Sequence, residues 1–245
     1  MGRLRTKLKE RLRDSAFDNS GWSFAFNPHY LLRAGLYSAI QKIAPSLSGD
    51  ILDFGCGSRP YESLFTNADR YVGIDVRTSG HDHSDTTADM YFDGQIIPLA
   101  DASFDAVVAF EVFEHVFDLA TSLREIKRVL RPGGKLLVTV PFCWEEHEMP
   151  FDFARYSSVG LGHLLKNNGY QVIEAHKLGS DVTVLFQLWN NYIYNLLFRK
   201  IGRWRWLLQP VLLVPTHLLA AALDWLMPQT RALYLNQVVV AEMIS

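Results

Sequence analysis

Cysteine is nearly absent from this chain: Cys56 and Cys143 are the only two in 245 residues, and they form no CxxC pair. That excludes a disulfide-built secreted scaffold and favours a reducing, cytoplasmic setting. A charge imbalance is also missing. The formal net charge is −2, which argues against a nucleic-acid footprint spread over the surface. Charged residues make up 20% and hydrophobic residues 49%, too apolar a balance for a disordered chain. No internal repeat or low-complexity tract appears. The first thirteen residues are charged rather than apolar, so no signal peptide is expected. The length suits one sizeable α/β core with additions.

One further absence is local. In "GDILDFGCGSRPYESLF", an apolar run meets the turn Gly55-Cys56-Gly57, where glycines permit positive φ and close backbone approach to a ligand. A dinucleotide fingerprint G-x-G-x-x-G needs a third glycine where Pro60 stands. The missing glycine leaves open which adenosine-containing ligand, if any, the loop holds.

What is present reads as alternating strands and helices. Asn27 to Ala44 predicts a helix with Leu32, Leu36, Ile40 and Ile43 on one face, ended by Pro45. "DILDF", "RYVGID", "FDAVVAF", "KLLVTV" and "YQVIEAHKL" read as strands. The spacing from Gly57 to Asp75 predicts one helix plus one strand. In "DLATSLREIKRVLRPGG", Leu119, Leu123, Ile126 and Leu130 follow the helical period, with Pro132-Gly133-Gly134 as the stop. "VGLGHLLKNNG" is a further helix. Such alternation implies a mostly parallel sheet covered on both faces.

Two segments depart from that rhythm. "MGRLRTKLKERLR" carries six basic residues against Glu10, with Leu4, Leu8 and Leu12 on one stripe; a basic amphipathic helix of this kind suits an anionic membrane surface. Between Gly179 and Arg231 lies a hydrophobic segment with no charged residue from Trp206 to Leu223. Its length admits a membrane span, but Pro210 and Pro215 interrupt it, and a single crossing would strand the last strand on the far side. Interfacial contact or an apolar lid is the expectation; a plain hydrophobic subdomain or dimer face is the alternative.

In an open parallel sheet, ligands sit at the carboxyl ends of the strands. The first strand ends in Asp53-Phe54-Gly55-Cys56-Gly57. The second ends in Asp75, placed to accept from both hydroxyls of a ribose. Asp89 is expected to close a short third strand and to accept from an adenine amino group. Glu111 and Glu114-His115 follow the fourth strand.

That succession resembles the class I S-adenosylmethionine-dependent methyltransferases, closest to their methyltransferase 11 type, from about Asp50 to Val140 and more weakly to Leu178. "DFGCGS" resembles the first motif, D-x-G-C-G-x-G, and "VGIDV" the second. "PLADASFDAVVAFEVFEHV" and "LREIKRVLRPGGKLLVTVP" resemble the later ones. The resemblance implies S-adenosylmethionine as cofactor. Asp53, Gly55, Cys56 and Gly57 would lie at its methionine portion, Asp75 and Val76 at the ribose, Asp89 and Met90 at the adenine, and Glu111 beside the methionyl chain. Arg33 is a candidate for the methionine carboxylate. The departure from the pattern is the third motif glycine, replaced by Arg59 or Pro60.

Methyl transfer needs an acceptor held close and, for a hydroxyl or ammonium, a base. "PFCWEEHEMPFDFARYS" follows the fifth strand. His147 is the candidate base, with Glu145, Glu146 and Glu148 as alternatives; Glu145, Asp152, Arg155 and Tyr156 are candidates to orient a polar acceptor. His115 reads as structural or cofactor-shell. The run resembles one in methyltransferases of cell-surface polysaccharide pathways, which implies a sugar-containing, lipid-linked acceptor. "HDHSD" at His81 to Asp85 approximates a metallohydrolase loop, but Thr86 stands where a last histidine belongs, so no metal is expected.

The expected fold is a Rossmann-like three-layer α/β/α sandwich with a seven-stranded, mostly parallel sheet and an antiparallel last strand. A basic segment and helical cap (1–48) precede the core (49–179); a hydrophobic helical insertion (180–231) precedes the last strand (232–245). The expected activity is methyl transfer to a small molecule, with peripheral contact at the inner membrane face. The alternative is a membrane-associated scaffold of the same fold without catalysis.

Overall fold

The computed structural model describes residues 20–77, 80, 86–228 and 230–244. The basic stripe at the start of the chain and the His81–Asp85 motif lie outside them. In chain order the elements are α1 (Gly21–Phe26), α2 (Tyr30–Ile43), β1 (Gly49–Phe54), β2 (Ala68–Val76), β3 (Met90–Phe92), β4 (Phe104–Phe110), α3 (Leu119–Val129), β5 (Leu130–Pro141), α4 (Ser158–Asn167), β6 (Tyr170–Leu178), α5 (Asp181–Ile193), α6 (Arg205–Leu226) and β7 (Asn236–Met243).

The strands form one sheet in the order β3-β2-β1-β4-β5-β7-β6. β1 to β5 pair in parallel, and β7 lies antiparallel to β5. Central strands covered on both faces must be apolar throughout rather than alternating. Accordingly Ile51 to Phe54 in β1, Ala106 to Ala109 in β4 and Val238 to Ala241 in β7 are all buried, Asp53 included. On α3, Leu119, Leu123, Ile126 and Val129 form the buried stripe, and Asp118 caps the helix by accepting from the backbone N–H of Thr121 at 3.1 Å.

Three local expectations are corrected. No α-helix separates β1 from β2: the segment holds a single 3₁₀ turn, Glu62–Leu64, because Pro60 and the short connection leave room for little more. α3 ends at Val129, and Leu130 to Gly134 already belong to β5; the register shift between Phe104 and Ala106 absorbs the Pro-Gly-Gly run inside the strand. Pro210 and Pro215 do not break the apolar segment, since α6 runs through both. Beside Pro215, the Thr216 hydroxyl lies 3.2 and 2.8 Å from the carbonyl oxygens of Leu212 and Leu213 in the preceding turn.

The chain divides into two compact units, one of residues up to Ala39 with Leu178–Leu235, the other of Ile40–Lys177 with Asn236–Ser245. The first unit contains α1, the start of α2, α5 and α6. The second contains the sheet, α3 and α4.

Candidate active site

The carboxyl ends of β1 to β4 open onto a cleft of about 930 Å³, within the usual range for small-molecule sites. Gly55, Asp75, Val76, Tyr91, Asp93, Val112 and His115 are among the residues that line it. Gly55 has φ +73°, and a Cβ there would meet Val112 at 2.6 Å, so only glycine allows the post-β4 segment to close on the loop.

Asp75 is buried at the end of β2. One carboxylate oxygen accepts the Gly57 N–H at 3.0 Å and the other accepts the Val76 N–H at 2.7 Å. A carboxylate has about four lone-pair sites, so two remain for hydroxyls presented from the cleft. Asp53 lies beneath the loop and is not among the lining residues. Burial pushes its carboxyl up to about 7, against the hydrogen bond from the Tyr71 hydroxyl at 2.7 Å. Burial likewise pushes the Cys56 thiol up to about 12, which keeps it neutral.

The structure corrects the expectation for Asp89. β3 begins at Met90, so Asp89 precedes the strand rather than closing it. Its carboxylate accepts the Gly73 N–H at 2.9 Å and pairs with Arg59 at 2.5 Å. Asp93 closes β3 instead. It lines the cleft and accepts the backbone N–H groups of Gln95 and Ile96 at 2.8 and 3.0 Å. Its sequence signal is the Asp-Gly pair directly after "MYF".

Arg59 occupies the third-glycine position with φ +52°, the left-handed backbone a glycine would favour. Its guanidinium lies over Gly73, where a Cβ would meet the arginine Nε at 2.6 Å.

Beyond β4 and β5 a second cluster forms. Glu111, at φ +55°, accepts from the Asn236 side-chain amide. Glu114 is fully buried with no hydrogen-bond partner for either side-chain oxygen; burial, then the nearby Glu111, holds its carboxyl well above the carboxylate range. His115 points Nδ1 at the Phe151 carbonyl at 2.9 Å, which sets that nitrogen as the donor and leaves Nε2 as the acceptor. The His115 and His147 rings meet edge to face with centroids 4.8 Å apart. Glu114, His115 and His147 bring ligand atoms within 4.8 Å of one another, so this trio could hold a metal ion.

The candidate base His147 is not among the lining residues, whereas His115 is. Asp152 accepts the His147 backbone N–H at 2.9 Å, and its Oδ2 lies 3.3 Å from His147 Nδ1. Burial, then electrostatic repulsion from the neighbouring His115, holds the imidazole below its ordinary pKa. Asp152 and Arg155, expected to orient an acceptor, instead pair with each other through both oxygens. Burial would raise Asp152, but the Arg155 hydrogen bonds bring it down to about 2. Arg155 also donates to the Glu145 and Ala154 carbonyls, fixing the loop. Glu145 and Glu146 are exposed, while Tyr156 is half-buried and accepts the Gln237 amide on its carbonyl. Arg33 lies on α2 in the first unit.

Residues 52–138 match the family model of the methyltransferase domain. A Mycolicibacterium smegmatis protein named "Probable S-adenosylmethionine-dependent methyltransferase" is 38% identical over 144 residues, 54% of this chain and 56% of that one. An O-methyltransferase of Pyrenophora dematioidea is 32% identical over 157 residues, 55% of this chain and 59% of that one. The chain spans less than two thirds of the length of either relative. Among solved structures, an S-adenosylmethionine-dependent methyltransferase from Mesorhizobium loti shares the fold with TM-score 0.53 at 16% identity, covering 86% of this chain and 99% of that one. The [4+2]-cyclase SpnF shares it at 0.55 and 18%, covering 84% and 81%.

The strand order and the glycine loop agree with a Rossmann-like methyltransferase fold, and residues 52–138 are similar in sequence to the S-adenosylmethionine-dependent methyltransferases. The match is to the methyltransferase 11 type of domain, and the relatives' names give S-adenosylmethionine as the cofactor.

Proposed function

We propose that the chain transfers a methyl group from S-adenosylmethionine to a hydroxyl of a small molecule. The observation that carries this reading is Asp75: a buried carboxylate at the end of β2 that ties down the glycine loop and keeps acceptor capacity toward the cleft. The cleft suits the cofactor. Aromatic and branched walls from Phe92, Val76 and Val112 suit a purine, and Asp93 offers a carboxylate at the adenine end.

When bound, S-adenosylmethionine supplies a methyl group already activated by the sulfonium. The remaining task of the protein is to hold the acceptor oxygen in line and take its proton. His115 stands on the cleft wall with Nε2 as proton acceptor and Nδ1 held by the Phe151 carbonyl. His147 packs on its edge and is itself braced by Asp152 and Arg155. In this role His115 receives the hydroxyl proton, and His147 positions it.

O-methylation is supported by the names of relatives, including the human mitochondrial ubiquinone biosynthesis O-methyltransferase, 37% identical over 108 residues, 39% of this chain and 29% of that one. A sugar-containing, lipid-linked acceptor is the finer proposal, supported by the His147–Tyr156 run. The free cysteines agree with a reducing cytoplasmic compartment.

Calorimetric titration with S-adenosylmethionine, S-adenosylhomocysteine and NADH tests the reading. Micromolar binding of the two sulfur ligands and none of NADH is expected, followed by transfer of labelled methyl to a hydroxyl acceptor. Binding of none of the three would leave the non-catalytic scaffold as the reading.

A further inference from the structure

Helices α5 and α6 of the first unit bury polar side chains and expose large apolar ones, the reverse of a helix in a water-soluble bundle. On α5, Gln187, Asn190 and Asn191 are buried, while Leu185, Leu188, Trp189 and Tyr192 are exposed. On α6, Gln209 and His217 are buried together with Leu213 and Ala220. The exposed positions there include Leu207, Val211, Leu218 and Trp225, the last 84% exposed. A surface helix in water buries its apolar stripe and presents polar residues. In lipid the order inverts, and polar side chains turn toward the bundle interior.

Several of the interior polar groups engage one another, while Asn190 Nδ2, Asn191 Nδ2, Gln209 Oε1 and His217 Nε2 are buried with no hydrogen-bond partner. Gln187, 0% exposed, donates to the Pro28 carbonyl and the Asn191 side chain at 2.8 Å and accepts the Leu32 N–H at 3.1 Å. His29 Nδ1 lies 3.0 Å from the Asn191 side-chain oxygen, and His217 Nδ1 lies 2.9 Å from the Phe24 carbonyl. The Thr216 hydroxyl donates to Asn190 at 3.0 Å, and Ser180, the N-cap of α5, donates to Asp224 near the end of α6. These last two bonds fix α5 and α6 as an antiparallel hairpin. Both ends of the hairpin therefore return to the same side, which removes the objection that an apolar helix here would strand β7.

Three features select a lipid surface as the occupant. The exposed apolar residues of α6 sweep from Leu207 and Leu208 through Val211 and Leu212 to Leu218 and Leu219, a broad arc at about 100° per residue, wider than one flat partner patch. The helix has 22 residues and a mean hydropathy of 1.6 over its most apolar window, with 22% of that window buried. Its flanks carry the interfacial residue types: exposed Trp204, Trp206 and Trp225, with basic Arg199, Lys200 and Arg205 at the hairpin tip.

We infer that the α5–α6 hairpin docks in an anionic lipid bilayer, its apolar outer face against the acyl chains and its basic tip at the headgroups. This inference is independent of the methyl-transfer reading.

The test is flotation of the purified full chain with vesicles of phosphatidylcholine, with and without phosphatidylglycerol. Co-flotation is expected, stronger with the anionic lipid. Five of the six tryptophans are Trp22, Trp189, Trp204, Trp206 and Trp225, all in this unit, so brominated acyl chains should quench most of the intrinsic fluorescence. The variant Leu207→Glu/Val211→Glu/Leu218→Glu changes exposed positions only and retains the basic start of the chain. It should keep its circular dichroism and its cofactor affinity while losing at least tenfold in vesicle partitioning. Flotation unaltered by this variant would overturn the assignment to the hairpin. No flotation of the parent chain, with light scattering showing a dimer that the variant dissociates, would assign the face to a second copy. A monomer that neither floats nor is quenched would overturn the inference outright.

Discussion

The Asp75 carboxylate accepts the Gly57 N–H at 3.0 Å, so the end of the second strand holds the loop that leaves the first. One side chain thereby shapes the glycine turn and faces the cleft. Asp75→Ala is expected to weaken S-adenosylmethionine binding by about 100-fold or more, the loss of two hydrogen bonds to a charged acceptor at about 1.5–3 kcal/mol each. Asp75→Asn, which keeps one acceptor oxygen, should lose less. Calorimetry on both variants measures this; unchanged affinity in both would remove Asp75 from the site.

Asp93 and Asp89 separate affinity from stability. Asp93→Ala should weaken binding of S-adenosylhomocysteine by about tenfold, roughly one hydrogen bond at the adenine end. Asp89→Ala removes the partner of Arg59 and the Gly73 N–H acceptor. It should lower the unfolding temperature while affecting affinity less than Asp93→Ala. The reverse ranking would return the adenine contact to Asp89.

Arg59 gives a prediction of order. Arg59→Ala loses the ion pair and keeps a side chain at φ +52°; Arg59→Gly loses the same pair but relieves the left-handed backbone. Arg59→Gly should therefore be more stable than Arg59→Ala by about 1 kcal/mol. Denaturant titrations of the two variants compare them directly.

His115→Ala should lower the methyl-transfer rate by about 100-fold or more with little change in cofactor affinity, the usual contribution of a positioned base. His147→Ala, acting through its contact with His115, should cost about tenfold. Single-turnover rates on one hydroxyl acceptor decide, and a larger loss at His147 would exchange the two roles.

The stability of the first unit should depend on acid through His29. Burial, then the charge of Arg33, holds its imidazole down at about 4 against an ordinary 6.5, with the Asn191 hydrogen bond opposing. The unfolded chain therefore takes up the proton first as pH falls. The stability contributed by the neutral ring is full above pH 6.5 and drains away between 6.5 and about 4. Thermal melts across that window should fall more steeply for the parent chain than for His29→Asn.

The sheet was readable because its strands announce themselves in composition. Ile51 to Phe54 and Ala106 to Ala109 are buried on both faces, and that demand leaves apolar runs in the sequence, broken in β1 only by Asp53. Asp75 was readable for the same reason, as the polar residue that ends such a run. Asp93 was not, because β3 has only three residues and its end cannot be fixed by periodicity. The missing helix after the glycine loop turns on Pro60 and a short connection, where a helix and a 3₁₀ turn use similar residues. That His115 and not His147 lines the cleft is not legible in the sequence, because a ring's exposure to a cleft is set by tertiary contacts such as that to the Phe151 carbonyl. The polar interior of the hairpin was hidden for another reason: Gln187, Asn190 and Asn191 read as an ordinary wet face until their burial is known.

β6 and β7 are neighbours in the sheet, yet 57 positions separate Leu178 from Leu235, and the Leu235 N–H donates to the Leu178 carbonyl at 2.9 Å across the gap. The excursion thus leaves and re-enters through a closed doorway one hydrogen bond wide. What is spliced in at that point can lengthen, shrink or be exchanged with little disturbance to strand register, so the anchoring device and the chemistry are free to evolve at different speeds.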